Sequence, residues 1–425
     1  NENMPKQKKK SSKREKKFLR RTKRKQNIRD FINLITFIPH SDVSLNLAVI
    51  GLMIFGTAMI SSTAVAQTTS SVSTVLNVLV KQIIFLIFAY IAMLLSNKTI
   101  TLRRFSQYQG LIFAVFAISM IAPFGFAATG GSHAWIRIGS ITIQPSEFGK
   151  PLFILICAAS VYRARRNREM RKNFWTFFKW PVACLLVTLA LLAAQKDYGT
   201  AAITLGIVYV CLMIPSYPTL RKTQRALTTL LAAGGLAVVL LFGVTNIGTE
   251  VLKQTPLYHI AVRIENAKNP YNDIYGTGYQ PANSLYGIAD SGFIGKGFGN
   301  SARKYGYLTQ ADNDYILAVT IEETGIIGFA IIIFLYGVIE ARLFYYAIRT
   351  QDTSRKIILI GTGAYLFFHF VLNVGGVGAL IPMTGIPLLF ISSGGSSLLA
   401  ISIALGLCQR QISIISAQER KGELQ

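Results

Sequence analysis

Three groups of residues in this sequence have types and spacings that could do chemistry. The first is Asp312-Asn313-Asp314, which ends a glycine-rich polar stretch and meets an apolar run beginning at Tyr315. That run carries two adjacent carboxylates, Glu322 and Glu323. A carboxylate at the water boundary can take a proton as a general base. Carboxylates within an apolar helix must pair with cations, bind ions or stay protonated. At 1.5 Å per helical residue, Glu322 lies about 12 Å deeper than Asp314.

The second group is Trp135-Ile-Arg-Ile-Gly139 followed by Gln144-Pro-Ser-Glu-Phe-Gly-Lys150. Pro145 and Ser146 are helix-start residues, and Glu147 favours the positive end of the helix dipole. Glu147 and Lys150 share a face at i and i+3 and can pair. The stretch reads either as a capped helix start with a boundary ion pair, or as an outward-facing polar site. On the second reading Arg137 or Lys150 would meet an anionic group. The third group is the short turn Gln195-Lys-Asp197-Tyr-Gly-Thr200 together with the glycine, proline and hydroxyl residues of 373–397, including Thr384 and Ser396. Broken helical backbone at membrane depth survives only where it is buried in protein or lines a cavity. Close helix packing through small residues is the plainer reading.

Other patterns point nowhere. Gly292, Gly295, Gly297 and Gly299 have no preceding strand and no Walker lysine-serine, so they do not make a nucleotide loop. His40, His133, His259 and His369 have no ligand spacing, and no metal site is assigned. Cys157, Cys184, Cys211 and Cys408 all fall in apolar blocks without a CxxC and read as small core residues.

What must position these groups is a membrane scaffold. Of 425 residues, 51% are hydrophobic and 15% charged, where a soluble chain would carry roughly a quarter charged. The apolar residues come in blocks near the about 20 residues that cross a bilayer. Ten such segments run over 44–64, 79–96, 111–128, 146–162, 176–194, 199–214, 226–246, 314–338, 357–375 and 386–408. The expected fold is an all-α polytopic membrane protein with ten transmembrane helices. The net charge of +25 is uneven, with fourteen basic residues between Lys6 and Arg29. That run reads as a cytoplasmic tail touching anionic lipid, and no folded basic module follows that would bind nucleic acid. No cleavable signal is expected, so the first apolar block stays as an anchor.

The loops agree with ten spans. The even-numbered connections are basic: Lys98, Arg103 and Arg104; residues 163–173; Arg221, Lys222 and Arg225; Arg342, Arg349, Arg355 and Lys356. Loops 65–78 and 376–385 have no Lys or Arg. Both termini are therefore expected in the cytoplasm. The expected organisation is a basic tail over 1–41, a membrane unit over 42–410 and a cytoplasmic tail over 411–425. A large external loop over about 247–313 joins helices 7 and 8. A connection that long is functional or disordered, and its tyrosines and glycines favour a partly folded element.

The motifs WIRIGSITIQPSEFGK, QKDYGTA, GFIGKGFGNS…DNDYILAVTIEE and IPMTGIPLLFISSGGSS together resemble the SEDS family of bacterial envelope proteins, which includes FtsW, RodA and SpoVE. The likeness covers about residues 42–410. Gly299-Asn300-Ser301 is more similar to the division branch than to the elongation branch. The resemblance implies a peptidoglycan glycosyltransferase in the cytoplasmic membrane, at the division septum. It would polymerise lipid II on its undecaprenyl pyrophosphate at the outer face. The implied partners are a class B penicillin-binding protein and other divisome proteins. The family motif Thr-Asp-Phe-Ile-Phe aligns with Asn313-Asp314-Tyr315-Ile316-Leu317, which makes Asp314 the candidate catalytic residue. Asp312 stands at a usual histidine position, Gln310 replaces a common glutamate, and Leu389 and Ser393 stand where proline and tyrosine are common.

Arg137, Glu147, Lys150, Arg263 and Lys296 are the candidate substrate-binding residues. Asp197, Glu322, Glu323, Thr384 and Ser396 are the candidate supporting residues. No tightly bound cofactor is expected, and a divalent cation (Mg or Mn) would fit the chemistry. The expected reaction is inverting transfer with Asp314 as general base. Rival readings are a lipid II flippase using Glu322, Glu323 and the broken helices, an elongation-type polymerase, and a non-enzymatic scaffold for a penicillin-binding protein.

Overall fold

The computed structural model describes residues 41–66, 72–128, 131–139 and 141–420. Residues 1–40 of the basic tail, and 421–425 at the other end, lie outside the described residues. The chain is mostly helical. The long elements are α1 (Val43–Ala64), α2 (Val72–Thr99), α3 (Leu102–Ser119), α4 (Pro145–Arg166), α5 (Phe174–Gln195), α6 (Tyr198–Met213) and α7 (Arg221–Val238), which a π-helical turn extends to Val244. Three short helices follow, α8 (Ile247–Lys253), α9 (Tyr258–Lys268) and α10 (Tyr279–Ala289). The chain ends in α11 (Ile316–Arg349), α12 (Thr353–Val377) and α13 (Gly395–Arg420). One departure from an all-α fold is a two-stranded antiparallel hairpin, β1 (Ile136–Ile138) and β2 (Ile141–Ile143). Its alternating β-branched residues favour extended pairing over another helical turn.

Helices overlap each of the ten expected segments, and among the described residues eight are long and apolar enough to cross a membrane. The other two are α4 and the 16-residue α6. Helix α4 carries Glu147, Lys150 and three arginines in its last turn, which lowers its hydropathy. Yet it is the central helix: Phe153, Ile154, Ile156, Cys157, Ala158, Ala159 and Val161 have no exposed surface. A helix surrounded by protein need not be apolar all round, because its neighbours can satisfy its polar groups. Helix α7 is the reverse, with no buried residue. Gln224 Nε2 ties it to the Leu212 and Pro215 carbonyls at 2.9 Å each, and Tyr209 Oη donates to Thr228 Oγ1 at 3.0 Å.

Boundaries differ from expectation where local chemistry overrides apolarity. The last span begins at Gly395 and not near 386, because Pro387 and the loop glycines leave 378–394 without regular structure. The same helix continues past 410 to Arg420 as ordered structure. The expected external loop holds α8, α9 and α10, so it is largely folded.

Caps set the joints. Asp42 accepts from Leu45 N at the start of α1, and Asp352 from Ser354 N and Arg355 N at the start of α12. Lys196, left-handed at φ 59°, ends α5, and Asp197 next to it caps α6 through Thr200 N.

Helix α11 is broken. Gly325 has φ 68° and ψ −166°, outside helical space. The break frees backbone groups that would otherwise bond within the helix, and the glycine-rich loop takes them up. Lys296 N and Gly297 N donate to the Glu322 and Glu323 carbonyls at 2.9 and 3.0 Å, while Ile326 N and Ile327 N donate to the Gly292 and Phe293 carbonyls at 3.3 Å each. A Cβ on Gly295 would stand 2.3 Å from the Glu323 carbonyl oxygen, and one on Gly325 2.3 Å from that of Phe293. These two glycines permit the close approach of loop to helix.

Candidate active site

Asp314 lies just before α11, where the chain leaves a run of turns and Tyr315 opens the helix. Its surroundings come from a distant segment, residues 383–393. Asn373 Nδ2 donates to the Asp314 carbonyl at 3.1 Å and to the Ile386 carbonyl at 2.8 Å. Ser392 Oγ donates to the Asn313 carbonyl at 2.9 Å and accepts from Leu388 N at 2.9 Å. Ser393 N donates to the Asp312 carbonyl and Ser393 Oγ to Asp312 Oδ2, at 3.0 and 2.9 Å. Gly385, at φ 72°, lies alongside the carboxylate: a Cβ there would be 3.5 Å from Asp314 Oδ2.

Asp314 Oδ1 is buried and has no hydrogen-bond partner among the described residues. Thr384 Oγ1 in the facing loop is in the same state. A buried polar atom with no partner is costly, and such atoms mark places where substrate or water supplies the missing bond. Burial pushes the Asp314 carboxyl up to about 6, with the Arg263 guanidinium opposing the rise and the Asp312 charge adding to it. A base near neutrality is suited to accept a proton from a hydroxyl. Arg263, on α9, is exposed and donates from Nη1 to the Met383 carbonyl at 3.1 Å. Asp314, Arg263 and Thr384 are thus brought to one place by three separate elements.

The other expected site residues fall into different clusters. Gln144 links two of them: its Nε2 donates to Asp197 Oδ2 at 2.8 Å, and its backbone N donates to Ser396 Oγ at 3.1 Å. Gly199 packs against this region, with its Cβ position 3.0 Å from the Thr384 carbonyl oxygen. Glu147 and Lys150 do pair, at 2.5 Å, but inside the bundle, 2% and 1% exposed. They do not form an outward-facing cation site. Arg137 stands exposed on β1, opposite Thr142 across the hairpin.

Lys296, Glu322 and Glu323 belong to the loop lock on α11. Lys296 Nζ pairs with Glu322 at 2.8 Å and with Asp290 at 3.5 Å, and the bond to Glu322 raises its ammonium above the ordinary value. Glu322 also accepts from Ser301 Oγ, Ala302 N and Arg303 N. Glu323 accepts from Lys304 Nζ, Ser62 Oγ, Gly299 N and Ser301 N. Both carboxylates are therefore fully engaged with protein groups. Lys304 and Ser62 were not legible from the sequence as members of this lock. His369 and Asn373, one turn apart on α12, are both buried and bonded to the 383–393 loop.

Among the described residues, no group of three or more His, Cys, Asp or Glu side chains could hold a metal ion. Asp312 Oδ2 is taken by Ser393, so the donor set beside Asp314 does not fit a resident metal.

A cleft of about 580 Å³ opens between α3 and α4, lined by Tyr108, Ile112, Val115, Phe148, Leu155 and other apolar groups. Ile136 and Ile143 of the hairpin border it.

The chain is similar to known proteins over most of its length. It is 31% identical over 386 residues to the probable peptidoglycan glycosyltransferase FtsW of Bacillus subtilis (strain 168), covering 89% of this chain and 92% of that protein. It is 32% identical over 337 residues to the protein of the same name from Lactococcus lactis subsp. lactis (strain IL1403), covering 74% and 77%. The fold is that of a chain from a peptidoglycan synthase complex that coordinates polymerization and crosslinking, with a TM-score of 0.68 at 23% identity, covering 88% of this chain and 98% of that one. The rod shape determining protein RodA of Thermus thermophilus superposes with a TM-score of 0.58 at 22% identity, covering 87% and 96%. The sequence pattern of the cell cycle proteins FtsW, RodA and SpoVE matches residues 43–418, and the chain belongs to that family.

Proposed function

We propose that this protein is a peptidoglycan glycosyltransferase that polymerises lipid II at the outer face of the cytoplasmic membrane during septal wall synthesis. Membership of the family and the FtsW relatives support the activity and the division role. The observation that carries the assignment of the base is Asp314 Oδ1, a buried carboxylate oxygen without a partner among the described residues.

On this reading the chain makes ten crossings, with both termini in the cytoplasm and α8 to α10 outside. Asp314 then lies at the outer water boundary. It takes the proton from the acceptor sugar hydroxyl as that oxygen bonds to the donor's anomeric carbon. The bond from that carbon to the pyrophosphate oxygen breaks on the opposite face, so configuration inverts and undecaprenyl pyrophosphate leaves. Arg263 beside the carboxylate, and Arg137 on the hairpin, supply positive charge for the leaving group. The polyprenyl chain is assigned to the apolar cleft between α3 and α4, whose border is the hairpin carrying Arg137. A class B penicillin-binding protein is the proposed partner, crosslinking the strands this chain makes.

The test is polymerisation of purified lipid II by the full-length protein with its transpeptidase and no other glycosyltransferase present. Wild-type protein should make glycan strands, and Asp314→Asn should fold and bind the partner yet make none. Near-normal strand synthesis by that variant would remove Asp314 from the mechanism.

A further inference from the structure

We propose that His369 and Asn373 are positioning residues that hold the loop 383–393 against Asp314, and that the buried Glu147–Lys150 pair acts through His369. The inference rests on the reading of Asp314 as the base.

Residues 378–394 have no helix or strand ladder to fix them, so individual hydrogen bonds hold the loop, a few from backbone groups such as Ser393 N and the rest from side chains. Helix α12 supplies two from one face, because His369 and Asn373 are one turn apart. His369 Nδ1 faces the Pro387 carbonyl at 3.1 Å, and Asn373 Nδ2 faces the adjacent Ile386 carbonyl at 2.8 Å. The same Asn373 amide reaches the Asp314 carbonyl at 3.1 Å. One helix face therefore holds both the base and the loop that lies alongside it. Both side chains are buried, at 0% and 1% exposure.

The Glu147–Lys150 pair decides which proton His369 carries. Lys150 Nζ is 2.8 Å from His369 Nε2. An ammonium has only donors, so Nε2 must be the accepting nitrogen. Nδ1 then carries the hydrogen and donates to the Pro387 carbonyl. Glu147 at 2.5 Å, with Tyr365 Oη at 3.5 Å on its other oxygen, anchors the ammonium in that position. The chain of contacts runs from Glu147 through Lys150 and His369 to Pro387, two residues from Gly385 beside the carboxylate. A purely structural role would predict only lost stability on mutation. A positioning role predicts lost turnover, since displacing a catalytic group by about 1 Å can cost about a hundredfold.

Two near-isosteric variants separate the roles. His369→Asn keeps a donor at the Nδ1 position and loses the acceptor for Lys150. His369→Gln keeps a group at the Nε2 position and loses the donor to Pro387. Lipid II polymerisation by the full-length protein with its transpeptidase would be measured for both, with kcat, KM and melting temperature, beside Asp314→Asn. His369→Asn should stay within about threefold of wild-type kcat, and His369→Gln should fall about tenfold to a hundredfold in kcat with KM within about twofold. Equal kcat for the two variants, or a more active Gln variant, would overturn the positioning role. An active Asp314→Asn variant would instead overturn the reading of the base, and this inference with it. An inactive Asp314→Asn beside equal His369 variants sinks this inference alone.

Discussion

Lys304 Nζ and Glu323 Oε1 face each other at 2.8 Å, with neither side chain exposed. The residues are 19 apart in the chain, one in the glycine-rich segment and the other in α11 just before its break. Ser62 of α1 donates to Glu323 and accepts from Lys304 at 2.8 and 2.9 Å, which ties a third element to the pair. The two adjacent carboxylates of the apolar run, Glu322 and Glu323, are thus members of a charge-satisfied clasp.

Removing one member of such a pair leaves an uncompensated buried charge. Lys304→Met should cost about 3–5 kcal/mol, and adding Glu323→Gln to it should recover part of that loss. Melting of the purified protein in detergent measures both. If the double variant is no more stable than the single one, the charge pairing is not what holds the clasp.

The loop and the helix break depend on two glycines that no other residue can replace without strain. Gly325→Ala and Gly295→Ala should each destabilise by about 2 kcal/mol or more, because each adds a Cβ at positive φ against a carbonyl oxygen. Gly234→Ala, in the unburied α7 with open space around it, should be neutral or slightly stabilising. Equal melting temperatures for the three variants would show that the close approach is not tight in solution.

The Asp314 carboxyl, pushed up to about 6 from 3.8, makes activity fall as pH drops through 6, where the base becomes protonated. The stability effect has the opposite sense. Between about pH 4 and 6 the folded state binds a proton that the unfolded state has released, so stability is lost as pH rises through that window. Asp314→Asn should therefore melt higher than wild type at pH 8, by about 1–2 kcal/mol with partial exposure discounted, and show no advantage at pH 3.5. The same difference between variant and wild type at both pH values would show that the carboxylate is not desolvated.

Two neighbours should move the acid limb of the pH–rate profile in opposite directions. Arg263→Ala removes the charge that holds the Asp314 carboxyl down, so the limb moves to higher pH. Asp312→Asn removes the charge that pushes it up, so the limb moves to lower pH. Both shifts should shrink in high salt, since screening weakens interactions between partly exposed charges. A limb that stays in place in both variants would assign the titration to another group.

Local chemistry made part of this protein readable from sequence alone. Runs of apolar residues announce helices, and the i, i+3 spacing of Glu147 and Lys150 announces their pairing. Asp197 before a helix announces a cap, and the acidic edge of an apolar run marks Asp312 and Asp314, between which the resemblance to the family motif chose Asp314. These signals depend on residues within a turn or two of one another. The tertiary structure alone decided which polar groups meet. Glu323 finds Ser62 at a separation of 261 residues, and Asn373 finds Asp314 at 59. The sequence carries no periodic trace of such contacts, because they follow from how whole helices pack. Packing also took Glu147 and Lys150 into the bundle, turned the glycine run into the partner of a broken helix, and left Asp314 Oδ1 without a partner among the described residues.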